Sequence, residues 1–136
     1  MTVANVPPTS PPLRVAVIGA GARAQDHLAA IARMPQYWQL SGVCDARPDR
    51  AQAASEQHGV PAFGDPLQLL SDTRADAVLV IVPPDGHHPL VLAAAERGVH
   101  VMTEVPISIS LPLADLMIEA CRRSHVVLEV AENVWG

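Results

Sequence analysis

The residues able to do chemistry fall in a few short stretches. The stretch "VAVIGAGARAQDHL" sets Gly19, Gly21 and Ala24 in a Gly-x-Gly-x-x-Ala pattern, directly after a β-branched apolar run and directly before apolar residues at helical spacing. Gly19 permits a tight turn, and Gly21, lacking a Cβ, lets the backbone touch a pyrophosphate. Ala24 lets helix and strand pack closely, with the phosphate held at the helix N-terminus. Together with Ala22 and Arg23 these residues form the expected dinucleotide turn. The alternative is a glycine-rich turn in an α/β protein that binds no nucleotide; the strand-turn-helix context favours the nucleotide.

Asp45 lies 24 residues after Gly21, at the end of a second apolar run. An acid there accepts hydrogen bonds from the adenosine ribose hydroxyls and repels a 2′-phosphate, which favours NAD over NADP. Arg47, two residues on, offers a phosphate partner and keeps NADP open. Without a ligand, Asp45 reads as a turn residue before "ARPDR", and Asp49 as a helix N-cap. In "IVPPDGHHP", Val82 and Pro83 lie where the carboxyl edge of a sheet meets its ligand. His87 or His88 would serve there as N-cap, cofactor neighbour or proton carrier, and His87 is the candidate catalytic residue. His27 reads as a packing or capping residue, and His100, alternating with Val99 and Val101, is the blandest of the histidines. Finally, "GVHVMTEVPISIS" reads as a strand that ends on Glu104 and enters a loop through Val105 and Pro106.

Alternating strands and helices must position these groups. Strands are expected at Leu13–Ile18, Trp38–Cys44, within "VPAFGD", at Ala77–Val82, Val99–Thr103 and Val126–Val130. Helices are expected at Ala24–Met34, Asp49–His58, "PLQLL", His88–Arg97 and Leu111–Arg123, with Gly59 and Gly98 as stops. Strands apolar on both faces and joined by helices predict an α/β fold with a doubly wound parallel sheet, order 3-2-1-4-5-6. Residues 1–12, with four prolines, read as a flexible tail, and residues 13–136 as one dinucleotide-binding domain.

Composition narrows the field. The 136 residues contain only four aromatics, so the core must be aliphatic. A net charge of −5 with no basic run argues against nucleic acid. No apolar run approaches the ~20 residues that span a bilayer, and no signal peptide is evident, so no membrane partner is expected. Cys44 and Cys121 match no metal spacing; no metal site is predicted, and unpaired thiols fit a cytoplasmic location. All nine cations are arginine, and lysine is absent.

The stretches "GAGARAQDHL", "VCDARPDRA", "VPPDGHHPLVLAAAERGVHV" and "TEVPISIS" together resemble the N-terminal domain of the Gfo/Idh/MocA oxidoreductase family, over nearly the whole chain after the tail. The resemblance implies hydride transfer between a nicotinamide cofactor and a hydroxyl or carbonyl of a sugar, cyclitol or similar small molecule. It implies that His87 takes the family's loop histidine, Glu104 its glutamate and Pro106 its proline. It also implies a following substrate-binding domain that builds homo- or hetero-oligomers. The family usually reads Glu-Lys-Pro; this chain has Val105 in place of the lysine that assists proton transfer. Glu104 would still bind the nicotinamide ribose, and Val105 would line the cofactor without chemistry. The chain alone is expected to bind cofactor without turnover. Two alternatives follow from Val105: an NAD-dependent glycosidase of the same family, for which Glu132-Asn133 is the further motive, and a non-catalytic NAD(H)-binding subunit.

Overall fold

The computed structural model describes residues 11–104 and 110–131. Residues 1–10 of the expected tail, Val105, Pro106 and the Glu132-Asn133 pair lie outside the described residues. The elements run β1 (Leu13–Ile18), α1 (Ala22–Ala32), β2 (Trp38–Cys44), α2 (Pro48–His58), β3 (Ala62–Phe63), α3 (Pro66–Thr73) and β4 (Ala77–Val80), then α4 (His87–Glu96), β5 (His100–Glu104), α5 (Leu111–Arg123) and β6 (Leu128–Ala131).

Two apolar periods produce this alternation. In β1 every residue from Val15 to Ile18 is buried, as a strand covered on both faces requires. In α1 the buried residues are Ala24, Leu28 and Ile31, one stripe of a helix. The strands pair in parallel in the order β3-β2-β1-β4-β5-β6, as the sequence pattern predicts. After β3 the chain crosses back over β1 to form β4, so the sheet's direction of growth reverses between β1 and β4. That reversal opens a crevice at the strands' carboxyl ends. The core divides into two clusters, one per face. Val15, Val17, Leu28, Ile31 and Val43 pack under α1, while Leu69, Val78, Val80, Val91 and Met117 pack under α3, α4 and α5.

The pairing of β1 with β2 slips at Val15/Ala16, leaving Ser41 as the extra residue. Its hydroxyl donates to the Val15 carbonyl (3.1 Å) and repairs the broken ladder. Several element ends differ from expectation. β4 stops at Val80 because its ladder partner β1 ends at Ile18, opposite it, and Pro83-Pro84 follow closely. β5 starts at His100 because the Val99 N–H is used on the Ala94 carbonyl at the end of α4. β6 starts at Leu128 because the Val126 N–H is tied to the Cys121 carbonyl. α2 starts at Pro48, a favoured first helical residue, so Asp49 lies in the first turn and Arg47 takes the cap position expected of Asp49.

Asp65 caps α3 by accepting the Leu67 N–H at 2.9 Å, with Pro66 as the first helical residue. Asp65→Ala should cost ~1 kcal/mol of stability. A urea-unfolding midpoint lowered at unchanged slope is the expected result.

Candidate functional site

A cleft of about 680 Å³ lies across the carboxyl ends of β1, β2, β4 and β5, at the reversal point of the sheet. Gly19 forms its floor at φ +107°, and its N–H donates to the Cys44 carbonyl at 2.7 Å. A Cβ at Gly19 would stand 2.0 Å from the Ile81 carbonyl oxygen, so the turn is wedged between the ends of β2 and β4. Gly21 is the N-cap of α1. No side chain caps that helix and no acid stands in its first turn, which leaves its positive end available to an anion. A Cβ on Gly21 would stand 3.4 Å from Arg50 Nη1, so a guanidinium lies beside the turn. Ala22 and Arg23 line the cleft, whereas Ala24 is fully buried beneath the turn, in the core under α1.

Asp45 is more than a turn residue. Its Oδ2 accepts the Ala20 N–H and its Oδ1 the Arg47 N–H, both at 2.8 Å, so it ties the end of β2 to the glycine turn. Each oxygen keeps lone-pair capacity for a ligand hydroxyl. The Arg47 guanidinium pairs with Asp49 at 3.1 Å and is absent from the cleft wall; Arg50, a helical turn further on, lines it instead. Sequence reading missed Arg50. The available signal was Pro48, which starts α2 early and places Arg50 in its first turn.

On the opposite wall Val82, Pro83 and Pro84 lead into a single 3₁₀ turn, Pro84–Gly86, and then α4. His87 also lines the cleft, yet it is 1% exposed, and its Nε2 donates to the Val82 carbonyl at 3.0 Å. That bond fixes the loop. Cys44 forms part of the floor, and burial, with Asp45 and Asp65 adding their charge, pushes its thiol up to about 11.

Glu104 closes the far end. Met102, two residues earlier, packs into the core under α1, so the period of a strand turns Glu104 toward the same helix. Its Oε1 accepts from Arg23 Nη2 (2.8 Å) and His27 Nε2 (2.9 Å), and its Oε2 from Arg23 Nε (3.2 Å). Burial alone would raise the Glu104 pKa, but the hydrogen bonds and charges of Arg23 and His27 outweigh it and hold the carboxyl below the ordinary glutamate range. His27 therefore has a polar partner that its expected packing or capping role did not include. His100 lies outside the cleft, its Nδ1 accepting the Val127 N–H at 2.9 Å. Among the described residues no helix is long and apolar enough to cross a membrane, and no three His, Cys, Asp or Glu side chains group as metal ligands.

A parallel sheet reversing at β1/β4, a glycine turn under a helix N-terminus and an acid at the end of β2 define a dinucleotide-binding α/β domain. The Gfo/Idh/MocA family model, described as "Oxidoreductase family, NAD-binding Rossmann fold", matches residues 13–132. The chain belongs to this family and is an NAD-binding Rossmann domain. It is 37% identical over 122 residues to the myo-inositol 2-dehydrogenase of Thermotoga maritima, covering 89% of this chain and 36% of that protein. It is 37% identical over 121 residues to the D-glucoside 3-dehydrogenase of Escherichia coli, covering 88% of this chain and 34% of the relative. The structure of the WlbA dehydrogenase from Bordetella pertussis in complex with NADH and UDP-GlcNAcA superposes with a TM-score of 0.85 at 28% identity, over 88% of this chain and 37% of that one. The chain thus spans about a third of the length of these relatives.

Proposed function

We propose that the cleft holds the cofactor of an oxidoreductase acting on a sugar, a cyclitol or a similar small molecule. The observation that carries this reading is the convergence of the glycine turn, Asp45, the Pro83 loop and Glu104 on one cleft. Gly19, Gly21, Ala22 and the N-terminus of α1 would receive the pyrophosphate, with Arg50 adding charge. Asp45 would accept the adenosine ribose hydroxyls. Val82, Pro83 and Glu104 would border the nicotinamide end, His87 holding the loop in place and Ala24 supporting the turn from beneath. The nicotinamide, when bound, supplies or accepts the hydride; these residues bind and orient it.

Asp45, fixed as an acceptor by two backbone N–H groups, favours NAD over NADP. The likeness to dehydrogenases of myo-inositol and a D-glucoside supports a polyhydroxylated substrate. The chain contains no lysine, so a lysine-assisted proton transfer is closed to these residues. We assign residues 13–136 to the dinucleotide-binding domain, with substrate contacts from a further domain or chain, and expect the 136-residue chain to bind cofactor without turnover. Calorimetric titration tests the reading. NADH should bind and NADPH bind more weakly, and Arg50→Gln should weaken NADH about tenfold, the loss of one charge-assisted contact. Absence of heat and of thermal stabilisation with either cofactor overturns the proposal.

A further inference from the structure

The acid at the end of β5 is held by the helix that carries the dinucleotide turn. Arg23 and His27, one helical turn apart on α1, make three hydrogen bonds to Glu104, which lies 81 residues beyond Arg23. Arg23 engages both carboxylate oxygens through its fork, a geometry that fixes the plane of the group as well as its charge. Oε1 carries two of these bonds and Oε2 one, so Oε2 keeps the greater capacity to accept. The Glu104 side chain is only 17% exposed and lines the cleft, while Arg23 is 53% exposed at the same wall.

We infer that Arg23 and His27 are positioning residues that hold Glu104 as an oriented anion, so that it accepts a ligand hydroxyl at the nicotinamide end of the cleft. This rests on reading the cleft as the cofactor site. Without the two donors, burial would govern the carboxyl and favour its neutral form, which would lose its anionic acceptor character. Among the described residues the ionisable groups acting on it are Arg23 and His27, both from α1, while Asp26, also on α1, acts on Arg23. Of the flanking strands, β4 is Ala-Val-Leu-Val, and β6 carries Glu129, which stands opposite Met102, two residues before Glu104, whose own partner is Ala131. A depressed native pKa means the anion is fully present above the ordinary carboxylate range and is lost only as pH falls through the lower native value.

The test is NAD⁺ affinity of the 136-residue chain by calorimetry between pH 5 and pH 8, with folding checked by circular dichroism. Wild type should vary less than about twofold across that window, because the anion persists throughout. Arg23→Gln frees the carboxyl to titrate upward, and its affinity should fall by about threefold or more from pH 8 to pH 5, as the carboxyl takes up its proton within that window. His27→Ala should shift the profile in the same direction by less, and His27→Gln, which keeps a donor, should restore the flat profile. Glu104→Gln should bind about tenfold more weakly at every pH, having lost a charged acceptor. A loss in Arg23→Gln equal at all pH values overturns the inference, because it would place Arg23 on the cofactor itself. Wild-type affinity in Glu104→Gln overturns it as well. Failure of wild type to bind NAD⁺ overturns the assignment of the cleft instead.

Discussion

Gly19→Ala is expected to be the most damaging single methyl that can be added to the cleft. Its Cβ would enter the space of the Ile81 carbonyl at 2.0 Å, a backbone atom that no rotamer change can move aside. The φ of +107° is also closed to alanine. Backbone strain of ~1–3 kcal/mol and overpacking of a similar ~1–3 kcal/mol place the expected cost at about 3–5 kcal/mol. That is a large share of the ~5–15 kcal/mol by which a domain is stable. The urea midpoint should fall sharply, and NADH titration of any folded fraction should give no heat, since relief of the clash displaces the turn proposed to receive the pyrophosphate. A variant with wild-type midpoint and affinity would show that the turn is not wedged as described.

Asp45→Ala should have the second largest effect, through binding more than stability. The substitution leaves the nearly buried Ala20 N–H without its acceptor, at a cost of ~1–3 kcal/mol, whereas water can replace the bond to the exposed Arg47. On the ligand side it removes the charged acceptor proposed for two ribose hydroxyls, and NADH should bind about a hundredfold more weakly. Asp45→Asn separates the two roles. It keeps an oxygen for Ala20 but loses the charge, so NADPH should gain on NADH in paired titrations. An unchanged NADPH to NADH ratio would remove Asp45 from cofactor selection.

The sheet was legible because each strand writes its own pattern. β1, β2 and α5 begin and end where the apolar runs and their punctuation place them. Parallel crossover units then leave one common strand order, and that order is observed. The ends of β4, β5 and β6 were less legible because they depend on when a partner strand stops or on which carbonyl a turn residue reaches. The bulge at Ser41 has no local signature, being a disagreement in register between two strands. In the cleft, Gly19, fixed by its backbone conformation, and Asp45, whose carboxylate ties the end of β2 to the turn, stand where spacing places them. Residues acting through distant side chains were not readable from spacing: nothing near Arg23 or His27 in the sequence announces Glu104, and Arg47 drew attention that the geometry gives to Arg50.

The two free cysteines lie in one core cluster, Cys44 at the end of β2 and Cys121 on α5. Both are buried, and burial raises the pKa of both thiols, so in the closed fold neither offers a thiolate to an alkylating reagent. Modification must wait for the surrounding structure to open. The chain therefore carries two internal clocks set at two ends of one shared core, each timing the opening around its own thiol. A ligand bridging the crevice would slow the clock at Cys44 on the cleft floor directly, and the one at Cys121 only as far as that core opens as a unit.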